Sequence, residues 1–441
     1  MNATLIAGRG EPFDNRQPSM AVTKVMYRFG TSPFQYDAAV GGMAGFVYDF
    51  AGYYAPGGSV PARGQRLERR ESGDDQLFML LERTFGGDGH VGFHLPDLQG
   101  VATIGTGAGP GRTPQDLGSA TGSASVTLTT AQIPAHDHGL AGGGATGKTA
   151  GGQPFCNMQR SLPLRFLINV AGPDPTPSKD SWSRSGEQRN AVFRGQIAAF
   201  ASRFVDPPGW TEAAGQLLPI AGNEALFAVL KNTFGGDGQR TFALPDLRGR
   251  TIVGASAEHP PGSAFGEEFT TLTASQLPAH SHMLAAGKDV TAVTGGGQPV
   301  SNWQPSLALN YLVCINGMFP TQSDDGPSQW ARDEPYLGEI VAFAGHVAPA
   351  GWSFAHGEVL TIRGHEALYC ILGTQYGGDG QNTYALPDLR GRTLVGSGWV
   401  DRAECRPGNR FGADTIRPTE ANLPMHYHSL PDAATAQARA G

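Results

Sequence analysis

EPFDNRQPSMAVTKVMYRFG, residues 11–30, decides how this chain folds, because the same segment occurs twice more inside the sequence. QPFCNMQRSLPLRFLINVAG (Gln153 to Gly172) and QPVSNWQPSLALNYLVCING (Gln298 to Gly317) match each other and the N-terminal stretch. Pro12, Asn15, Gln17, Pro18, Ser19, Ala21 and Gly30 align with Pro299, Asn302, Gln304, Pro305, Ser306, Ala308 and Gly317 at a constant offset. A long internal repeat has to be settled first, since it determines whether the chain is one domain or an array.

Between these segments lies a second repeated block. Its clearest copies run from Gly195 to Thr251 and from Gly338 to Thr393, and a worn copy runs from Gly45 to Ala102. Each holds apolar residues at i, i+3 and i+4: Leu77/Leu80/Leu81, Leu226/Val229/Leu230 and Leu368/Ile371/Leu372. That spacing predicts one short amphipathic helix per copy. A Gly-Gly-Asp-Gly turn and a Leu-Pro-Asp-Leu turn follow it.

A His-x-His pair closes each copy, at His136/His138, His280/His282 and His426/His428, which together hold half of the 12 histidines. Residues i and i+2 of an extended strand point to one face, about 6.6 to 7 Å apart, so a pair offers two imidazoles to one point. Three pairs around an axis would offer six. Iron(II), nickel or cobalt suits six nitrogen ligands better than zinc, although abundance keeps zinc in play. A six-ligand cage leaves no open position for substrate, so the expected cofactor is one structural transition metal ion (iron, zinc or nickel).

Every element is thus present three times, and the two chain ends together hold the material of one ordinary unit. The expected fold is mainly β with one short helix per repeat, three units in a closed pseudo-threefold. Residues 1–44 correspond to 142–194 and 287–337; the repeats with their histidines span 45–141, 195–286 and 338–430, and 431–441 is a tail. The N-terminal segment completes either the third unit of its own chain or that of a neighbour, which would build a filament by strand exchange.

Composition narrows the function. The chain has 441 residues, 63 glycines, 16% charged residues and a net charge of −7. Abundant glycine favours short strands and turns. No Lys/Arg run exists to meet nucleic acid or an anionic membrane, and no apolar stretch is long enough to span a bilayer. The N-terminus lacks an apolar core of signal-peptide length, so another export route or release by lysis is expected.

G-x-I-x-x-F-A-x-x-x-x-P-x-G-W, then A-L-F/Y, (F/Y)-G-G-D-G and (F/Y)-A-L-P-D-L-R-G-R, resembles the phage tail collar domain. That family includes short tail fibres of T-even phages and bacterial proteins labelled microcystin-dependent. The match is strongest in copies two and three. Copy one lacks the tryptophan and has Gln99 and Val101 where Arg248/Arg250 and Arg390/Arg392 stand. Relative to single-copy relatives the chain looks circularly permuted. Fibre proteins of that kind are homotrimers with a metal on the threefold axis. Because one chain here holds all three copies, the resemblance implies a single-chain mimic of such a trimeric tip, its metal held by residues matching the six histidines named above. It also implies an extracellular, virion or surface-appendage location, with fibre, baseplate or filament subunits and cell-surface glycan as partners.

Other motifs have plainer readings. GGGATGKT, Gly142 to Thr149, fits the phosphate-loop pattern but lacks the flanking strand and helix. The recurring Asp88, Asp237 and Asp379, and Asp97, Asp246 and Asp388, read as turn chemistry. Trp210 and Trp352 read as core anchors, and Cys156, Cys314, Cys370 and Cys405 as core fillers. The glycine-rich stretches 105–125, 139–152 and 285–298 are expected to form variable tips carrying specificity. The expectation is therefore a non-enzymatic, adhesive, fibre-like protein. A filament subunit is the first alternative. A polysaccharide-active enzyme is the second, although no repeated acid pair supports it.

Overall fold

The computed structural model describes residues 3–28, 43–69, 74–175, 192–203, 206–284, 289–321, 334–400 and 403–431. Three nine-residue strands, Ser19–Tyr27, Ser161–Asn169 and Ser306–Cys314, organise them. These strands are rich in apolar residues on both faces, as strands covered on both sides require, and nearly every residue in them is buried.

Each long strand is shared between two blocks. Ser161 to Leu164 runs parallel to Ala102–Gly105 of the first block, and Arg165 to Ile168 runs antiparallel to Gln196–Phe200 of the second. Ser306 to Leu309 pairs in the same way with Thr251–Gly254 of the second block, and Asn310 to Val313 with Glu339–Phe343 of the third. The N-terminal strand joins the third block to the first, with Ser19 to Val22 on Thr393–Gly396 and Thr23 to Met26 on Phe46–Phe50. The five-residue strands also pair with one another, Ala199 with Val47, Ile197 with Ala342 and Ile340 with Asp49. A closed eight-strand barrel is present.

Three cross-strand pairs occupy the same register on these ladders: Lys24 with Asp49, Phe166 with Ala199, and Tyr311 with Ala342. All six residues line one small interior cavity. The Lys24 Nζ is 2.6 Å from the Asp49 Oδ1, and the lysine side chain is only 3% exposed. A buried ammonium persists only with such a partner.

The three helices are Asp74–Leu81, Glu224–Leu230 and Glu366–Leu372. Their buried residues include Leu77/Leu80/Leu81, Leu226/Val229/Leu230 and Leu368/Ile371/Leu372, the positions that the sequence spacing picks out. All nine side chains enter the main core, as do Trp210 and Trp352. In the turns that follow, the Oδ1 of Asp88, Asp237 and Asp379 each accepts three backbone N–H groups within the next four residues. Gly378 sits there at φ +94°, where a Cβ would come within 2.3 Å of Tyr384 Cα. The expectation of four core-filling cysteines needs correction. Only Cys314 is buried; Cys156 and Cys370 are exposed and Cys405 is intermediate. Cys156 lies at the solvent edge of a two-residue strand beside buried Phe155, so alternation turns it outward.

A second, smaller core lies apart from the first. It gathers Leu128 and Ile133, Leu272 and Leu277, and Leu423, together with Phe155 and Val300. This core is the base on which the histidines stand.

Candidate metal centre

The approach to each histidine pair is built the same way. Thr129 N–H donates to Gln132 Oε1, Thr273 N–H to Gln276 Oε1, and Thr419 N–H to Asn422 Oδ1, closing a tight capped turn. The next residues, Ile133, Leu277 and Leu423, are fully buried in the second core. A proline follows, and its carbonyl accepts from the first imidazole of the pair. The Nδ1 of His136, His280 and His426 lies 2.9, 3.0 and 2.9 Å from the carbonyls of Pro134, Pro278 and Pro424.

The second imidazole of each pair reaches across to a different segment. The Nδ1 of His138, His282 and His428 is 2.9 Å from the carbonyls of Ala292, Leu5 and Gly147 respectively. The backbone N–H of the same three histidines donates to Thr146, Thr291 and Thr4 Oγ1. Two regions read as variable tips, 139–152 and 285–298, therefore place Thr146, Gly147, Thr291 and Ala292 against the histidines. Thr146 and Thr291 are buried. Of that second stretch, residues 285–288 lie outside the described residues. The pattern resembling a phosphate loop, Gly142 to Thr149, has no helix behind it and serves as this support.

A carbonyl can only accept, so all six Nδ1 atoms carry the proton and all six Nε2 atoms present a bare lone pair. All six rings are buried. Each stands edge-to-face with four of the other five at centroid separations of 4.7 to 5.5 Å. The pairs left over are His136/His282, His138/His426 and His280/His428. Four neighbours and one opposite is the connectivity of an octahedron. The nitrogen atoms group into triads within 4.8 Å, such as His136, His280 and His426.

This donor set fits a cation. The Nε2 atoms of His138, His282, His426 and His428 are buried without a hydrogen-bond partner. Those of His136 and His280 face each other at 3.2 Å, lone pair against lone pair. Burial holds His136 and His282 down to about 4 and His426 to about 3, the facing imidazoles adding to the effect. His138 and His428 are lowered for the same leading reason. Those five imidazoles are thus kept neutral, the form that binds metal. Carbonyls behind each ring fix its tautomer and orientation, as outer partners of metal-bound histidines do.

Below the histidines sits a ring that the sequence aligned without assigning it a role. Gln17 N–H donates to Gln159 Oε1 at 3.1 Å, Gln159 N–H to Gln304 Oε1 at 3.0 Å, and Gln304 N–H returns to Gln17 Oε1 at 3.2 Å. Asn15, Asn157 and Asn302 each give their side-chain amide to carbonyls of the next segment, including Met158, Trp303 and Arg16. Elsewhere Arg248 and Arg390 turn back onto Asp246 and Asp388 at 2.9 and 2.8 Å.

Three segments of the chain, residues 45–103, 195–252 and 338–394, match the family model of the phage tail collar domain. The chain carries three tandem copies of that domain, which marks it as a phage tail fibre-like structural protein. No curated protein and no solved structure matches it. Among the described residues no helix is long and apolar enough to cross a membrane.

Proposed function

We propose that this chain is a single-chain counterpart of a trimeric fibre tip, its three collar units closed around one pseudo-threefold axis and pinned by one structural metal ion. The cyclic run of hydrogen bonds through Gln17, Gln159 and Gln304 carries this reading, because residue 17 takes the place that an ordinary third unit would fill. Thr4 stands to His428 as Thr146 stands to His138 and Thr291 to His282, which supports the same assignment for residues 1–44. The six histidines would hold the metal. Bound there, it acts as a crosslink between units, and six protein nitrogens leave no position for a reacting water. The role is structural and adhesive, on a virion or a surface appendage facing cell-surface glycan.

Elemental analysis of protein purified without chelator should give one metal per chain, with a monomer mass by light scattering at high concentration. Three metals per chain, or none, would sink the shared axis. A ladder of oligomers would favour exchange of the N-terminal strand between molecules, and so the filament reading.

A further inference from the structure

At three places the loop after a short parallel strand lies over the Leu-Pro-Asp-Leu turn of another block. Gly105 bridges to Arg248, Gly254 to Arg390, and Gly396 reaches Gln99. Two of these turns carry an arginine that folds onto its own aspartate. The third carries Gln99, in the copy that departs most from the repeat.

Glutamine does something there that arginine cannot. Its Nε2 donates to Asp97 Oδ1 at 3.2 Å, and its Oε1 accepts the backbone N–H of Trp399 at 3.2 Å. Arginine has no acceptor for that N–H. Trp399 lies on a hairpin of two three-residue strands, Gly398–Val400 with Ala403–Cys405, where the first block has a single bridge between Gly107 and Gln115. Its side chain is 70% exposed, and Tyr53 of the first block is 55% exposed. Both line one cleft of about 330 Å³ with Arg63, Gln99, Glu404 and Arg406. Arg406 is held by Glu404 at 2.7 Å. Arg63 makes no ion pair among the described residues.

Single exposed aromatics are ordinary. Two in one cleft, beside an uncommitted guanidinium, match a ligand with an apolar face and a negative charge. A pyranose presents an apolar C–H face to a flat aromatic ring, and an acidic sugar adds a carboxylate. We propose that the cleft between the first and third collar units binds an acidic saccharide, the sugar ring on Trp399 and Tyr53 and the carboxylate on Arg63. This deepens the adhesive reading and rests on it.

The test is calorimetric titration of the full chain with a galacturonic acid trimer, alongside a neutral galactose trimer. The acidic trimer should bind, and the neutral one should bind about tenfold more weakly or less. Trp399→Ala and Arg63→Ala should each weaken binding of the acid by about tenfold or more. Gln99→Arg writes in the residue the other copies use, so the fold should hold while binding falls; unchanged thermal melting checks the fold. No binding of the acidic trimer, or equal binding by Trp399→Ala, overturns the cleft. Equal affinity for both trimers overturns the role of Arg63. Attachment of the intact protein to cells, measured in parallel, separates the two readings: cells bound without trimer binding defeats the cleft alone, and no attachment defeats the adhesive reading.

Discussion

The backbone N–H of Gln304 donates to the side-chain oxygen of Gln17, a residue 287 positions earlier in the chain, at 3.2 Å inside a fully buried ring. Gln304→Leu removes the acceptor of the Gln159 N–H and leaves that donor buried and unpaired. A loss of about 1–3 kcal/mol follows from an orphaned buried group. Denaturant midpoints should fall for Gln17→Leu and Gln159→Leu as well, each breaking one link of the same ring. A surface glutamine such as Gln239 is the control.

Thr146→Val should weaken metal binding without touching a ligand. It removes the acceptor of the His138 N–H and loosens the segment whose Gly147 carbonyl orients His428. Substitutions behind metal-bound histidines cost about 10- to 100-fold in affinity. Competition with a chromogenic chelator would measure it, and wild-type affinity in Thr146→Val would refute the supporting role.

Acid stability should depend on the Gly-Gly-Asp-Gly turns. Three backbone N–H donors hold the Asp237 carboxyl down to about 2, and those of Asp88 and Asp379 lower still. A folded value below the unfolded one means that stability is present above the ordinary carboxylate range, about 4, and is lost as pH falls through the folded value. Asp237→Asn should therefore melt below wild type at pH 7, and the gap should close between about pH 4 and pH 2. A constant gap across that window would contradict the ionic origin.

Gly254→Ala should separate two collar units. A Cβ at Gly254 would lie 1.9 Å from the Leu389 carbonyl oxygen, and Gly105 and Gly396 face Leu247 and Leu98 in the same way. Overpacking of this kind costs about 1–3 kcal/mol or more. Gly142→Ala meets nothing within 4 Å and should melt like wild type.

Much of this was legible in the sequence because it repeats. Leu226, Val229 and Leu230 announce a helix by spacing alone, and the recurring histidine pairs announce rings that gather in one cluster. Thr4 was not legible as the partner of His428, since a threonine among Leu5, Ile6 and Ala7 shares little with Thr146 and its glycines beyond the hydroxyl. What recurs in that segment is a carbonyl pointing at a ring, and any residue supplies one. Trp399 was silent for the opposite reason, as it occurs in one copy only.

Lys24, Phe166 and Tyr311 fill one level of the interior with an ammonium, a phenyl ring and a phenol. Three identical subunits could not do this: a lysine there would arrive as three like charges in one small space, each requiring its own carboxylate. Encoding the three units separately frees each position to differ from its counterparts. A buried charge can then be used once, and the outer surface can carry a single distinct face where a true trimer must present the same face three times.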